Sequence, residues 1–482
     1  MNNEALNSET PKSPESTFSR RTFLKTASAG VAAASLGPLV TACGSSQSAN
    51  SSGAFNWTKF KGTTISLLMD KHPYTDAMIA DIDSFKQLTG MNIKYDVYPE
   101  DVYFEKVTAA LSSRSSTYDV LMTGAYQTWV YGPAGWIVDL KPYMSDPNKV
   151  APDWDVSDIY SNLLASDSWS GSPGEATGSG NAHQWAMPWG FEQYILAYNK
   201  QVFDQYKLKV PTNLPELVDT ATYISNHVPG MYGIAVRGSR SWATIHPGYL
   251  SAFTNYGGKD FSKQLKSTVN SSTAAEMTNM WVKMVKQGGP PNWTQYTWYE
   301  CGSDLGAGKA AMMFDADNLT FSQAQGTKAA GNIAAAAFTP NPNASSPTSN
   351  VWIWSLAMSA FSNNKDAAWY FIQWATSKKH LLYAAVQQNQ VDPIRKSIWS
   401  NADFQNKVKT KGPINYLEAF QATQPGARIY FTPEPLFFQV TTDWATTLQT
   451  LYAGSNSMSA TQDALGQLAS SINNQTAQAG IS

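Results

Sequence analysis

The sequence predicts an α/β protein built as two domains, and three observations support this prediction. The chain has 482 residues, more than a single hydrophobic core usually organises. Over residues 63–122, segments with strand periodicity alternate with segments of helix periodicity, which is typical of a parallel sheet covered by helices. A second region of the same kind spans roughly residues 190–338.

The composition fits a soluble globular protein with an unusual number of amphipathic aromatic side chains. Hydrophobic residues make up 43% of the chain, charged residues 15%, and the formal net charge is −2. Lys and Arg do not cluster beyond the N-terminal segment, so we expect no nucleic-acid surface. Core packing rarely calls for as many as 17 Trp and 23 Tyr, whose rings suit surfaces that are apolar on one side and wet on the other.

The first 42 residues have the pattern of an export signal. Residues 19–25, SRRTFLK, match the twin-arginine motif, and the Ala/Gly-rich stretch after them is too short and too weakly apolar for a permanent membrane span. It ends in VTACG, which resembles a bacterial lipobox with Cys43 as the acylated residue. We therefore predict a twin-arginine-like lipoprotein signal peptide over residues 1–42, lipidation of Cys43, and a flexible tether over residues 43–56. A chance cysteine is the alternative.

Periodicity defines the first α/β unit. The helical spacing of Met78, Ile82 and Phe85 predicts a helix over residues 74–89, and Gly90 suits its C-terminal end. The expected order is a strand over 63–69, that helix, a strand over 91–98, a helix over 101–113 and a strand over 118–122. Ligands bind at the carboxyl ends of parallel strands, so the turns at 70–72 and 123–127 are candidate contacts.

Residues 185–200, WAMPWGFEQYILAYNK, contain one acid in an aromatic setting. Glu192 lies among Trp189, Phe191 and Tyr194, and the second half of the segment reads as a strand buried on both faces. A buried carboxylate needs partners. Because the segment separates the two α/β units, we interpret it as a strand that crosses between domains and contacts the ligand.

The remaining elements follow in order. We predict a two-piece helix over residues 203–225 with Asn213 as N-cap, a strand over 231–236, helices from about 243, over 273–287 and before Gly308, a strand over 310–314, a connector over 339–350, a strand over 351–360, a helix over 364–376 and a mainly helical region over 435–472. Trp352 and Trp354 should share one face of their strand.

Several motifs, in this order, resemble those of one family. They are YDVLMTGAYQTWVYGPAGWIVDL (118–140), MPWGFEQYILAYNK (187–200), GKAAMMFDADN (308–318) and SNNKDAAWYFIQWATS (362–377). Together with the lipobox and the α/β start, they are similar to the extracellular solute-binding proteins of bacterial ABC importers, in the family-1 carbohydrate-binding group that includes the maltose-binding proteins. The resemblance covers about residues 60–480, and residues 351–369 and 431–440 are most similar to the branch serving sugar alcohols and small saccharides.

The resemblance implies a two-lobe periplasmic-binding-protein type II fold, with hinge strands and a cleft that closes on the ligand. Crossings near residues 188–192, 339–342 and 392–395 would divide the chain into lobe one, 57–189 and 340–391, and lobe two, 190–339 and 392–482. It also implies a monomeric lipoprotein, anchored by lipid to the outer face of the cell membrane. The protein would capture a neutral sugar, oligosaccharide or sugar alcohol and deliver it to the permease subunits of an ABC transporter.

The candidate contacts combine planar polar groups with aromatic rings. Carboxylates, amides and guanidinium groups can bind neighbouring hydroxyls, while a ring covers the C–H face of a sugar. The resemblance places Glu192 at the hinge-region acid and residues 315–318 at the pocket turn, where relatives often carry Trp instead of Asn318. The predicted ligand-binding residues are Asp70, His72, Tyr126, Gln127, Trp189, Glu192, Arg240, Trp242, His246, Asp315, Asp317, Trp352 and Trp354.

Each candidate has a structural alternative. Glu192 could be an acid paired for stability, Asp315 could cap the following helix, and the tryptophans could belong to the core. No nucleophile elbow, phosphate-binding glycine loop or H-E-x-x-H motif occurs, and the five histidines lack metal-ligand spacing. Without Cys43, Cys301 is the only cysteine, which excludes an internal disulfide. We therefore predict no catalytic residue, metal or cofactor.

Two other functions remain open. A secreted carbohydrate-active enzyme would also combine carboxylates with aromatic rings. A binding protein for a non-sugar solute could use the same fold, because a fold does not determine its ligand.

Overall fold

The computed structural model describes residues 54–481 and has a mixed α/β fold. The strands are β1 (Thr64–Asp70), β2 (Asn92–Tyr98), β3 (Val120–Gly124), β4 (Ser168–Trp169), β5 (His183–Gln184), β6 (Met187–Asn199), β7 (Met312–Ala316), β8 (Ile333–Ala336) and β9 (Val351–Met358). The predicted signal peptide, the twin-arginine motif, Cys43 and most of the tether lie outside the described residues.

The helices surround the strands. They are α1 (Pro73–Thr89), α2 (Glu100–Ser112), α3 (Ala125–Tyr131), α4 (Lys141–Ser145), α5 (Ser161–Ser166), α6 (Lys200–Gln205), α7 (Leu214–His227), α8 (Gly248–Asn255), α9 (Ser272–Gly288), α10 (Trp298–Gly306), α11 (Asp317–Gln323), α12 (Lys365–Ala375), α13 (Lys378–Gln387), α14 (Lys396–Trp399), α15 (Ala402–Lys411), α16 (Tyr416–Thr423), α17 (Phe437–Ala453) and α18 (Met458–Gln478). None of these described helices is long and apolar enough to cross a membrane.

One sheet joins both α/β units. Within residues 54–481 it has seven strands in the order β2-β1-β3-β9-β6-β7, with β8 also paired to β6. The strands β1, β2 and β3 are parallel, as predicted for the first unit. The strands that connect the units run antiparallel: β9 against β3, and β6 against β7, β8 and β9.

The long strand β6 belongs to both halves of this sheet. Its 13 residues are all buried, as expected from its continuous apolar pattern. Residues up to Gln193 pair with β9, whereas residues from Tyr194 onward pair with β7 and β8. The pairing partner therefore changes after Gln193, one residue beyond Glu192.

The start of α1 is fixed against β6 by a close approach. A Cβ atom on Gly190 would lie 2.1 Å from the Tyr74 ring, so only glycine fits there. The Tyr74 hydroxyl donates to the Phe191 carbonyl at 3.1 Å. His72, which caps α1, is thereby held next to Glu192.

Most of the predicted elements are present. Gly90 ends α1 in the left-handed conformation with a φ of 68°, and the Asn213 side chain caps α7. Residues 231–236 are an exception, because they contribute only isolated bridges at Tyr232 and Ala235 instead of a continuous strand. The helix predicted from about residue 243 also differs: Trp242–Thr244 form a short 3-10 turn, and α8 begins only after Pro247.

Candidate ligand-binding cleft

A cavity of about 130 Å³ lies beside the middle of β6, where the α1 cap, the start of β9 and the end of β7 meet. Six predicted residues line it: His72, Glu192, Trp242, His246, Trp352 and Trp354. The fold therefore brings together predicted residues from four separate parts of the chain. We call this cavity the cleft.

Glu192 is the acid at the centre of the cleft lining, with 8% of its surface exposed. The indole Nε1 of Trp354 donates to its Oε1 at 2.9 Å, and Nδ2 of Asn318 donates to the same oxygen at 3.1 Å. His72 Nε2 lies 3.7 Å from Oε1. Because these contacts all involve Oε1, the other oxygen, Oε2, is the better placed to accept a hydrogen bond from a ligand.

The neighbours of Glu192 keep it ionised. Burial by itself would raise its pKa, but His72, the charge of Arg237 and the Trp354 indole together hold the pKa below its ordinary value. His72 Nδ1 accepts from the Tyr74 backbone N–H at 3.3 Å, so Nε2 carries the ring proton that faces the carboxylate. The cleft therefore presents a negative charge at neutral pH.

Arg237 supplies the opposite charge. It lines the cleft, and its Nε and Nη2 donate to the two carboxylate oxygens of Asp315 at 2.9 and 2.7 Å. Nη1 donates to the Ala243 carbonyl at 3.2 Å. This bidentate geometry fixes the plane of the guanidinium group.

Asp315 acts through Arg237 and not as a helix cap. Its side chain is wholly buried, and the residue at the N-cap of α11 is Ala316, without a side-chain cap. A buried arginine needs a paired carboxylate, which explains why an acid stands one residue before the end of β7. Asp315 is therefore placed as a positioning residue.

Aromatic rings form one wall of the cleft. Trp242 stacks on Trp352 with ring centroids 5.2 Å apart, and Trp352 meets Trp354 edge-on at 5.1 Å. Phe104 of α2 stacks on Trp354 at 6.1 Å and meets Trp242 edge-on at 5.9 Å. Trp352 and Trp354 share this environment, as the alternation of strand side chains predicted.

His246 extends the same wall as a neutral group. Its ring stacks on Trp242 with centroids 5.5 Å apart. Burial, and then the charge of Arg237, hold the pKa of His246 well below its ordinary value. A neutral imidazole offers one donor and one acceptor, which is the pattern of a hydroxyl group.

Four predicted residues are buried outside the cleft lining. Asp70 ends β1 inside the core, and Trp189 lies in a β-bulge of β6 with its ring 6.2 Å from that of Tyr74. The Tyr126 hydroxyl donates to the Val351 carbonyl at 2.7 Å, and its ring stacks on Phe437 at 4.5 Å. Gln127, next on α3, is buried beside Trp352. Because α3 packs against β3 and β9, the side chains of Tyr126 and Gln127 face the core.

Three others are also displaced from the lining. Asp315 is the partner of Arg237, and Arg240 is exposed, with its Nε donating to Thr446 Oγ1 at 3.1 Å. Asp317 is wholly buried, where its Oδ1 accepts from the backbone N–H groups of Gln193 and Asn318, each at 3.1 Å. As direct ligand contacts, these residues remain predictions that the geometry does not favour.

Asp317 forms part of a buried acid pair beneath Glu192. Its partner is Asp392, whose Oδ1 accepts from the Tyr416 hydroxyl at 3.0 Å. Burial raises the pKa of both carboxyls well above the ordinary value, and the charge of Glu192 raises each further. These shifts favour the protonated forms of Asp317 and Asp392, whereas Glu192, the one acid of these three that lines the cleft, has a lowered pKa.

Ten other lining residues were not among the predicted ligand contacts; they include Glu100, Arg237, Trp298 and Asn389, and also Asn318 of the predicted pocket turn. Arg237 could have been predicted from the sequence, because a charged residue directly after the apolar run 231–236 marks the end of a predicted strand. Glu100 and Trp298 begin helices in different parts of the chain, and no local pattern marks them. In the described part of the chain, no group of three or more His, Cys, Asp or Glu side chains is placed to hold a metal ion.

Comparison with known proteins identifies a family and a set of relatives. Residues 71–380 match the model of the bacterial extracellular solute-binding proteins. The erythritol/L-threitol-binding protein of Mycolicibacterium smegmatis is 37% identical over 456 residues, which cover 92% of this chain and 94% of that protein.

Solved structures share the fold. A solute-binding protein of Agrobacterium vitis with bound D-mannitol superposes with a TM-score of 0.71 at 22% identity, covering 87% of this chain and 99% of the other. One of Agrobacterium radiobacter in complex with ribitol has a TM-score of 0.72 at 22% identity, with 86% and 99% covered. At this identity the likeness establishes the architecture.

Proposed function

Since this chain belongs to the family of bacterial extracellular solute-binding proteins, we propose that its cleft captures a sugar alcohol and that the protein delivers it to the permease of an ABC importer. The Glu192 carboxylate is the observation that carries the proposal, because it is ionised, lines the cleft and has one oxygen outside its internal contacts. The relative named for erythritol and L-threitol supports this ligand class, as do the neighbours bound to D-mannitol and ribitol.

The chemistry of the cleft matches that of a short polyol. Each hydroxyl is both a donor and an acceptor, so a polyol needs donors and acceptors side by side. Glu192 accepts, Arg237 donates, and neutral His246, which already makes a hydrogen bond to the Trp242 backbone, offers its other ring nitrogen. The tryptophan wall covers the C–H groups and excludes water. A volume of about 130 Å³ suits one small molecule.

Closure of two lobes would trap this ligand. We take lobe one as residues 57–189 and 340–391 and lobe two as 190–339 and 392–482. The change of pairing partner after Gln193 supports a crossing within β6. On this division His72, Trp352 and Trp354 belong to lobe one, whereas Arg237, Trp242 and His246 belong to lobe two. A ligand that contacts both sets favours the closed arrangement.

The cleft is suited to binding rather than to glycoside hydrolysis. A glycosidase needs a carboxylic acid with a raised pKa that can protonate the leaving oxygen. Glu192 has a lowered pKa, and the acids with raised pKa beneath it, Asp317 and Asp392, do not line the cleft. The other acid of the lining, Glu100, accepts a hydrogen bond from the Trp298 indole. We therefore infer that the protein binds its ligand without converting it.

Thermal unfolding with a panel of solutes tests the ligand class. Erythritol, L-threitol, ribitol and D-mannitol should raise the melting temperature in a concentration-dependent way, because a ligand that binds only the folded state stabilises it. Amino acids at equal concentration serve as the control and should leave the melting temperature unchanged. If amino acids or peptides stabilise the protein and no sugar alcohol does, the ligand class is wrong.

Attachment to the membrane is part of the proposal. We infer that Cys43 is acylated after removal of residues 1–42, so Cys43→Ala should move the protein from the membrane fraction to the soluble fraction. Cys301→Ala is the matched control: Cys301 is the only other cysteine and is buried in the fold, so this variant should stay with the membrane. Fractionation followed by immunoblotting measures the distribution. Equal membrane association of both variants would contradict the lipid anchor.

A further inference from the structure

Two helix-starting residues meet at the outer edge of the cleft. Glu100 begins α2 and Trp298 begins α10, 198 positions later in the chain, and both line the cleft. The indole Nε1 of Trp298 donates to Glu100 Oε2 at 2.9 Å. Their near neighbours Val102 and Tyr299 have 38% and 45% of their surfaces exposed. The contact therefore lies where the cleft approaches solvent.

The indole of Trp298 is held in place from two directions. Tyr299 stacks on it with ring centroids 3.5 Å apart, and the Glu100 carboxylate fixes the indole N–H. A hydrogen bond to a charged acceptor is stronger and more directional than a neutral one. A large aromatic ring with a fixed orientation makes a wall and not a flexible flap.

A second contact one turn further along α2 supports the first. Phe104 lies four residues after Glu100, on the same face of the helix. Its ring meets Trp242 edge-on at 5.9 Å. The same face of α2 therefore contacts the second α/β unit at two points, at Trp298 and at Trp242.

We propose that Trp298, positioned by Glu100, is a specificity-determining residue that closes the outer end of the cleft and restricts the ligand to a single short polyol. This inference rests on the proposed function and deepens it. An oligosaccharide would have to continue past the bound unit into the space that the indole fills. Because Glu100 and Trp298 lie in different proposed lobes, their hydrogen bond also favours closure and slows ligand release.

Calorimetric titration of the full chain with erythritol and with maltotriose tests the wall. The wild type should bind erythritol and show no heat with maltotriose. Trp298→Ala should bind erythritol about tenfold more weakly, since it loses a charge-assisted hydrogen bond and aromatic contact area. It should also gain measurable binding of maltotriose.

The variant Trp298→Phe is the matched control, because it keeps an aromatic ring at the cleft edge, although a smaller one, and loses the donor to Glu100. It should weaken erythritol binding by a few-fold and still reject maltotriose. The proposed role of Trp298 is contradicted if Trp298→Ala rejects maltotriose and binds erythritol as the wild type does. It is also overturned if Trp298→Phe admits maltotriose as readily as Trp298→Ala. A wild type that binds no sugar alcohol would instead overturn the proposed function, and this inference with it.

Discussion

Replacing Glu192 by glutamine should weaken sugar-alcohol binding by about 5- to 15-fold, because a hydrogen bond to a charged group contributes about 1.5–3 kcal/mol and a neutral one about 0.5–1.5 kcal/mol, a difference of about 1–1.5 kcal/mol. The fold should survive, since the glutamine carbonyl can still accept from Trp354 and Asn318. Tryptophan fluorescence measures the affinity, because Trp242, Trp352 and Trp354 line the cleft and should respond to a ligand. Circular dichroism checks the fold.

Glu434→Gln is the matched control for this variant. Glu434 is also buried, with 2% of its surface exposed, but it does not line the cleft. Burial raises its pKa to about 8, so the residue is largely protonated at pH 7 and glutamine imitates its neutral form. This substitution should change neither affinity nor stability appreciably.

Two outcomes would change the interpretation of Glu192. If Glu192→Gln unfolds the protein or leaves its affinity unchanged, Glu192 is a structural acid. If the wild type releases new reducing ends from an oligosaccharide and Glu192→Gln does not, the cleft is catalytic and the enzyme alternative is correct.

Replacing Arg237 by methionine should lower the free energy of unfolding by about 3–5 kcal/mol, because breaking a buried ion pair leaves one charge uncompensated. Asp315 is that charge, since its side chain is wholly buried and both of its oxygens bind Arg237. Ligand affinity should fall as well, because Arg237 lines the cleft. Urea-induced unfolding measures the stability.

The double variant Arg237→Met/Asp315→Asn separates the two effects. It removes both charges, while asparagine can still accept from the Ala316 backbone N–H that Asp315 binds at 2.7 Å. It should recover much of the lost stability without recovering ligand binding. A single variant as stable as the wild type would show that the ion pair is unimportant for folding. A double variant with wild-type affinity would exclude Arg237 as a ligand contact.

Local pattern was sufficient for much of the fold. The buried strand β6 follows from its apolar run, and the helix ends at Gly90 and Asn213 follow from the capping preferences of these residues. In each case neighbouring residues in the sequence determine the local structure. Residues 231–236 show where this reasoning stops. A Cβ on Gly233 would lie 2.0 Å from the Ala221 carbonyl oxygen, so the segment is packed tightly against α7. Such a tertiary contact overrides the strand propensity of an apolar run.

The chemistry of the site was predictable, but the choice among neighbouring residues was not. Arg237 and Arg240 belong to the same turn, and only Arg237 reaches Asp315, which lies 78 positions away. Tyr126 and Gln127 carry suitable polar groups, but the packing of α3 turns them into the core. Glu100 and Trp298 meet only because the chain brings two distant helices together. Side-chain direction and long-range pairing depend on the complete fold.

Equilibrium dialysis of the full chain against radiolabelled erythritol tests the central claim most directly, because it measures bound ligand without relying on a change in the protein. We expect saturable binding of one erythritol per chain, with unlabelled L-threitol as a competitor and amino acids without effect. If erythritol and the other sugar alcohols fail to bind while an amino acid binds at one molecule per chain, the claim that this cleft captures a sugar alcohol is wrong.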